Sequence, residues 1–189
     1  MRHLTRLALL LAVTLAGLSP LAGAGRQDAT TVIVVRHAEK AVGQGEDPHL
    51  SAAGRARAEA LARSLEDAGV TAVITTQWVR TTETAAPTAR EAGVMPKVMP
   101  VEWDSVSRDA ADIAAAVRRH PGGVVLVVGH SNTVPDIVAA LGADRPTEIC
   151  DSEYDRMEIV TVETGGGARL IESRYGAPTP ERTGCASMR

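Results

Sequence analysis

The chain has 189 residues, which is enough for one domain with a substantial hydrophobic core. Its formal net charge of −3 makes the chain mildly acidic. This argues against nucleic acid, whose binding calls for a basic face, so no nucleic-acid partner is predicted. Aromatic residues make up 2% of the chain and none is Phe, which argues against a stacking platform for sugars or nucleobases.

The first 24 residues have the order of parts of a secretory signal peptide. Two arginines precede an apolar run at residues 7–18, a Ser-Pro pair breaks that run, and a small-residue cleavage site ends at Ala24. The run is shorter than the roughly 20 apolar residues that span a bilayer, so no stable membrane association is expected after cleavage. We therefore predict that residues 1–24 are a signal peptide, that residues 25–189 form a single domain, and that the protein is secreted or periplasmic. Cleavage lowers the net charge to −5, so any anion site must be built locally from placed arginines.

The first predicted strand ends in two residues that suit an anionic ligand. Residues 31–35 are all β-branched and uncharged, as in a strand buried on both faces of a sheet. Arg36 and His37 follow at its carboxyl end, where open α/β sheets hold their ligands. The arginine fork matches phosphate oxygens, and the imidazole beside it is a candidate nucleophile. The alternative is that both residues cap the strand and face water.

The remainder alternates between helices and strands. The predicted helices are 51–65 (with Ser51 as N-cap), 81–92, 108–119 and 135–141. The predicted strands are 70–75, a weak edge strand at 94–101, a central strand at 124–128, and a closing hairpin of 156–162 with 168–175. Residues 39–48 are predicted to form a loop, and Pro87 predicts a kink or an early stop in the second helix. This alternation indicates a three-layer α/β/α sandwich with a largely parallel central sheet.

Cys150 and Cys185 are the two cysteines of the chain. In an exported protein, this even count is compatible with one disulfide that ties the C-terminal tail to the domain. Two free thiols are the alternative, and neither cysteine is assigned a catalytic role.

Three predicted strand ends carry histidine or arginine. Arg36 and His37 follow the first strand, Arg80 comes shortly after the second, and His130 follows the strand at 124–128. The carboxyl ends of parallel strands lie along one edge of a sheet, so these side chains are expected to converge there. The helix that begins after His130 adds backbone N–H groups, which favour anions.

Four segments, in this order, resemble the histidine phosphatase superfamily, also called phosphoglycerate-mutase-like. They are residues 34–40 (VVRHAEK), 50–58 (LSAAGRARA), 75–85 (TTQWVRTTETA) and 127–133 (VVGHSNT). The two segments that contain His37 and His130 are the more specific ones. The size of the chain resembles that of the small members that lack a cap domain.

The resemblance implies a phosphoglycerate-mutase-like fold and a phosphohistidine mechanism. His37 is expected to be the nucleophile, and Arg36, Arg80, His130 and Ser131 are expected to bind the phosphate of a small phosphorylated substrate. No metal and no cofactor are expected. Because His37 must be neutral to attack while His130 acts as a donor or a cation, their pKa values are predicted to move apart from the reference of about 6.5.

The chain also departs from the family pattern. Ala38 replaces the commoner Gly after the nucleophile, and either Thr75 or Thr76 stands where the family usually has Ser. For the proton donor we take Glu102 as the candidate, with Asp104 in the same loop equally supported. A weak general acid favours good leaving groups such as aryl phosphates, anhydrides or phosphohistidine.

The function predicted from these features is that of an exported phosphatase acting on phosphate monoesters or on phosphohistidine. A phosphomutase is one alternative, although export argues against it. A catalytically silent phosphate-binding protein is the other, but binding alone would need only Arg36 and Arg80, not both histidines. Trp78 and Trp103 lie beside site segments, where they line the entrance or pack in the interior. The sequence does not specify the substrate or the oligomeric state.

Overall fold

A computed structural model describes residues 29–179, and within this range the chain forms one six-stranded sheet and four helices. The strands are β1 (Thr30–Arg36), β2 (Val70–Thr75), β3 (Lys97–Val98), β4 (Val124–Gly129), β5 (Arg156–Val162) and β6 (Ala168–Arg174). The helices are α1 (Ala52–Leu65), α2 (Val79–Ala92), α3 (Val106–Val117) and α4 (Val134–Leu141). The predicted α/β fold class is confirmed.

The register of the central strands determines where the site residues meet. The sheet order is β3-β2-β4-β1-β5-β6, and β3, β2, β4 and β1 are mutually parallel. β5 pairs antiparallel with β1, and β6 pairs antiparallel with β5. Arg36 at the end of β1 pairs with Gly129 at the end of β4, and Thr75 of β2 pairs with Val128. The carboxyl ends of β1, β4 and β2 are therefore level at one edge of the sheet.

Helices cover both faces of the sheet. Val32 and Val34 pack in one core cluster with residues of α3 and α4, whereas Ile33 and Val35 pack in the other with residues of α1 and α2. Successive strand residues point to opposite faces, so a strand covered on both sides must be apolar at every position. This explains the uninterrupted apolar run of β1 and confirms the three-layer arrangement.

Of the two outcomes predicted at Pro87, a kink or an early stop of the second helix, the early stop is wrong. α2 continues through Pro87 to Ala92, and Gly93 then ends it in the left-handed conformation with φ 67°. Proline removes one intrahelical hydrogen bond. Pro87 lies on the buried face of α2 beside Thr84 and Thr88, so the packing of that face offsets the lost bond.

The third strand is shorter than predicted. Only Lys97 and Val98 pair with β2, opposite Ile74 and Thr75. Pro96 and Pro100 bracket this pair, and because proline cannot donate to a ladder, the strand cannot extend through them.

Two predictions fall wholly or partly outside the described residues. The predicted signal peptide at residues 1–24 is one, and Cys185 is the other, so the pairing of the two cysteines stays a prediction. Cys150 itself is buried in the connector before β5. Within residues 29–179, no helix has the length and apolar character needed to cross a membrane.

Candidate active site

Two histidines and two arginines surround one cavity at the carboxyl edge of the sheet. The cavity has a volume of about 460 Å³, and the ring centroids of His37 and His130 lie 5.4 Å apart across a 64° interplanar angle. Its lining residues are Arg36, His37, Lys40, Arg80, Trp103, His130, Ser131, Asn132, Asp151 and Tyr154. The structure thus brings together the five residues predicted to bind or attack phosphate.

Backbone hydrogen bonds hold His37 in place and define its tautomer. The His37 N–H donates to the carbonyl of Gly129 at 2.9 Å, which extends the pairing of β1 and β4 by one residue. The imidazole Nδ1 lies 2.8 Å from the carbonyl oxygen of Ala38. A carbonyl oxygen only accepts, so this contact assigns the proton to Nδ1 and leaves a lone pair on Nε2. Ala38 is fixed in turn because its N–H donates to Thr84 Oγ1 at 2.9 Å.

His130 is positioned by the tight turn between β4 and α4. Its N–H donates to Thr133 Oγ1 at 2.8 Å, and its Nε2 lies 3.0 Å from Thr76 Oγ1. The hydroxyl of Thr133 approaches so closely that a Cβ on Gly129 would lie 2.7 Å from it, which explains the glycine before His130. Of the two threonines considered for the family's Ser position, Thr76 is the one that contacts His130.

The Arg36 guanidinium is held by the connector that precedes β5. Its Nη1 donates to the carbonyl oxygens of Cys150, Asp151 and Glu153 at 2.8, 3.0 and 3.0 Å. The ring of Tyr154 lies 4.1 Å from the guanidinium carbon. The Arg36 Nε is buried and has no hydrogen-bond partner among the described residues, so it is a donor free to meet an anion.

Arg80 reaches the cavity from the first turn of α2. Its Nη1 lies 3.4 Å from the carboxylate of Asp47, which also accepts a hydrogen bond from the N–H of Val79 at 3.0 Å. Asp47 therefore joins the loop after His37 to the start of α2. The Trp78 ring lies 4.7 Å from the guanidinium carbon, and the buried Arg80 Nε, like that of Arg36, has no partner within the described part of the chain.

Burial keeps both imidazoles neutral. Desolvation lowers the pKa of His37 to about 3, and the charges of Arg36 and Arg80 reinforce this shift against the opposing hydrogen bond to Ala38. Desolvation, followed by the proximity of His37 and the two arginines, lowers the pKa of His130 to about 2. The expectation that the two environments separate these pKa values is therefore wrong, because both rings lie in the same buried, cationic pocket.

A second set of contacts positions the segment after His37. Arg57 of α1 donates from Nε and Nη2 to the Glu39 carboxylate at 2.7–3.0 Å, and from Nη1 to the carbonyls of Tyr175 and Ala177. Gly54 lies so close to this segment that a Cβ there would stand 2.1 Å from the carbonyl oxygen of Glu39. The glycine and arginine of the segment at residues 50–58 thus fix the backbone next to the candidate nucleophile.

The candidate proton donors do not lie in the cavity. Glu102 and Asp104 are exposed, and neither lines it, whereas Trp103 between them does. The N–H of Glu102 donates to the carboxylate of Asp109 at 2.7 Å, and this contact helps hold the loop. Among the described residues, the carboxylate that lines the cavity is that of Asp151, which lies 3.8 Å from Arg36 and is 60% exposed.

The sequence analysis missed four lining residues. Lys40 and Asn132 belong to the segments that contain His37 and His130, so their closeness in sequence was an available signal. Asp151 and Tyr154 lie in the connector, which has no motif and no periodicity. No group of three or more His, Cys, Asp or Glu side chains within residues 29–179 is arranged to hold a metal ion.

This fold, with its two histidines and two arginines at the carboxyl edge of the sheet, is that of the phosphoglycerate-mutase-like proteins. The family model of the histidine phosphatase superfamily (branch 1) matches residues 32–105 of the chain. No curated protein matches the chain in sequence.

Solved structures of similar fold share little sequence with the chain. The protein histidine phosphatase SixA, complexed with tungstate, is 18% identical over 76% of this chain and 96% of its own, with a TM-score of 0.60. A phosphoserine phosphatase from Entamoeba histolytica, complexed with 3-phosphoglyceric acid, is 14% identical over 78% and 98%, with a TM-score of 0.60. A mycobacterial glucosyl-3-phosphoglycerate phosphatase is 16% identical over 75% and 97%, with a TM-score of 0.55. At these identities, the likeness establishes the fold.

Proposed function

We propose that this protein is an exported phosphatase that hydrolyses phosphate monoesters, or phosphohistidine, through a covalent intermediate on His37. The match to the histidine phosphatase superfamily model over residues 32–105 and the shared fold support a phosphatase or mutase-like activity. The observation that carries the proposal is the tautomer of His37. Its Nδ1 proton is used in the bond to the Ala38 carbonyl, so the lone pair of Nε2 is left for attack on phosphorus.

The surrounding cations suit a phosphoryl group. Arg36 and Arg80 each keep a buried Nε donor without a partner in the described structure, and phosphate oxygens are the acceptors that a guanidinium fork fits best. Ser131 lines the same cavity just before α4. Positioned donors of this kind stabilise the charge on the equatorial oxygens in the transition state, which is the main catalytic term in phosphoryl transfer.

The reaction has two steps. In the first, the Nε2 lone pair of His37 forms a bond to phosphorus while the bond from phosphorus to the leaving oxygen or nitrogen breaks. The leaving group departs with that electron pair and takes a proton from solvent water. In the second, a water oxygen attacks phosphorus and gives up one proton to solvent, the P–N bond breaks with its electron pair returning to Nε2, and inorganic phosphate is released. His130 stands across the cavity, where a bound dianion raises its pKa and makes it a donor to phosphate oxygens.

A p-nitrophenyl phosphate assay, together with a search for an acid-labile phosphoenzyme, tests the proposal. The wild type should hydrolyse the ester, and His37→Ala should reduce kcat by at least about 10³-fold and eliminate the phosphoenzyme. His120→Ala is the matched control, because His120 lies before β4, at the opposite edge of the sheet. A wild-type protein that binds phosphate but never releases it from an ester would instead be the silent binder.

The same assay separates the phosphatase from the mutase. Incubation with a phosphoglycerate, a phosphate monoester whose second hydroxyl can accept a phosphoryl group, should release inorganic phosphate rather than produce a positional isomer. Export is tested separately: the N-terminus of the mature protein from the periplasm or the medium should follow Ala24.

A further inference from the structure

Aromatic residues are rare in this chain, yet they cluster around the candidate site. The sequence contains two Trp, two Tyr and no Phe. Trp103 and Tyr154 line the cavity, and Trp78 stacks on Trp103. Three of these four rings therefore lie in or beside the pocket, whereas Tyr175 is buried just after β6, next to Arg57.

Trp103 is held in place although its surface is open. Its ring stacks on that of Trp78 at 5.8 Å with an interplanar angle of 27°, and its edge meets His130 at 5.3 Å and 68°. The other neighbour of Trp78 is the Arg80 guanidinium, at 4.7 Å. Trp103 nevertheless keeps 53% of its surface exposed. Its position is thus supported by two site residues while much of its ring remains available to a ligand.

Tyr154 occupies the other side of the phosphate pocket. Its ring lies 4.1 Å from the guanidinium carbon of Arg36 and 6.2 Å from the ring of His37. Trp103 lies beside His130 and Tyr154 beside His37, so a substituent on a phosphate held between the histidines leaves the pocket along an aromatic surface.

We propose that the group carried by the substrate phosphate is a planar aromatic ring that stacks on Trp103; this inference rests on the proposed phosphatase function. A second observation agrees with it. No buried carboxylate lines the cavity among the described residues, and the exposed Asp151 faces Arg36. A leaving group that departs without strong acid assistance, as a phenol or an imidazole does, suits such a site.

Binding of two phosphonates to the wild-type protein tests the inference without any turnover. Phenylphosphonate and cyclohexylphosphonate have the same headgroup and the same number of carbon atoms, but only the first has a planar aromatic ring. Phenylphosphonate should bind about 2- to 12-fold more tightly, the range expected for one aromatic stacking contact, and should change the tryptophan emission. Calorimetry gives the affinities, and both tryptophans of the chain lie beside the cavity to report occupancy.

Variants identify the residue responsible. Trp103→Ala should remove the preference for phenylphosphonate and leave the affinity for cyclohexylphosphonate within about 2-fold, whereas Trp103→Phe should retain the preference. Ile171→Ala is the control, because Ile171 is 50% exposed on β6, away from the cavity. Equal affinities in the wild type, no binding of either phosphonate, or a preference that survives in Trp103→Ala would each overturn the inference.

Hydrolysis identifies which ring is preferred. The values of kcat/KM for phenyl phosphate and for N-phosphoimidazole should be compared in the wild type and in Trp103→Ala. A lower kcat/KM in Trp103→Ala for either substrate supports the inference and identifies the ring that Trp103 binds. An unchanged kcat/KM for both substrates overturns it. Failure here is distinguishable from failure of the proposed function, since a phosphatase without aromatic preference would still form the phosphoenzyme on His37.

Discussion

Replacement of Gly54 by alanine tests whether α1 fixes the backbone beside the candidate nucleophile. A Cβ at this position would stand 2.1 Å from the carbonyl oxygen of Glu39, where ordinary contacts begin at 3.4 Å. The two segments must therefore separate by more than an ångström. This separation weakens the hydrogen bond from the N–H of Ser51 to the Glu39 carbonyl, which is 2.8 Å long in the native fold.

Two opposing contributions set the change in the free energy of unfolding. Alanine has the higher helix propensity and stabilises α1 by up to about 1 kcal/mol. Overpacking costs about 1–3 kcal/mol, and the weakened hydrogen bond about 1 kcal/mol more. We expect a net destabilisation of about 1–3 kcal/mol. Glu39 is two residues from His37, so the imidazole should also move and kcat/KM for p-nitrophenyl phosphate should fall by at least 10-fold.

Urea unfolding and steady-state kinetics measure the two effects, with Gly165→Ala as the matched control. Gly165 lies in the turn between β5 and β6, and a Cβ there would meet no atom within 4 Å. If Gly54→Ala proved as stable and as active as Gly165→Ala, the close approach of α1 to Glu39 would have no role in holding the site.

Two further predictions follow from the contacts of the histidines. Folding lowers the pKa values of His37 and His130 to about 3 and about 2, so below pH 6.5 the unfolded chain binds more protons than the folded chain. As the pH falls below 6.5, the free energy of unfolding should therefore decrease by about 1.4 kcal/mol per pH unit for each imidazole. The urea midpoint of a His37→Gln/His130→Gln double variant should thus change less between pH 6.5 and pH 4 than that of the wild type, and parallel curves would contradict this. Thr76→Val removes the hydroxyl 3.0 Å from His130 Nε2 and should lower kcat/KM by about 10-fold, while Thr76→Ser should restore it; a loss in both variants would point to packing instead.

The sheet was predictable because each buried strand is encoded by a short apolar run in the sequence. A strand covered on both faces must be apolar at every position, and the runs at β1, β2 and β4 have no other simple interpretation. Their carboxyl ends then determine which residues meet, so the convergence of His37, Arg80 and His130 follows from the topology. The catalytic roles of these residues stay predictions.

Other features depend on contacts that leave no pattern in the sequence. The three acceptors of Arg36 are backbone carbonyls, which any residue type supplies, so nothing in the connector indicated its role. In the loop at residues 102–104, the direction of each side chain decides that Trp103 faces the cavity and Glu102 does not. The shared lowering of the two histidine pKa values likewise requires the depth of the pocket, which the spacing of motifs does not reveal.

The Arg36 guanidinium serves two parts of the molecule at once. Its Nη1 donates hydrogen bonds to backbone carbonyls of residues 150–153, while its Nε has no hydrogen-bond partner among the described residues and can donate to an anion. If Arg36 binds phosphate as proposed, folding of the connector and recognition of phosphate are thermodynamically linked through a single side chain. A change in the connector, more than 110 residues away along the chain, should alter anion affinity, and a saturating anion should in turn protect that stretch of backbone from hydrogen exchange.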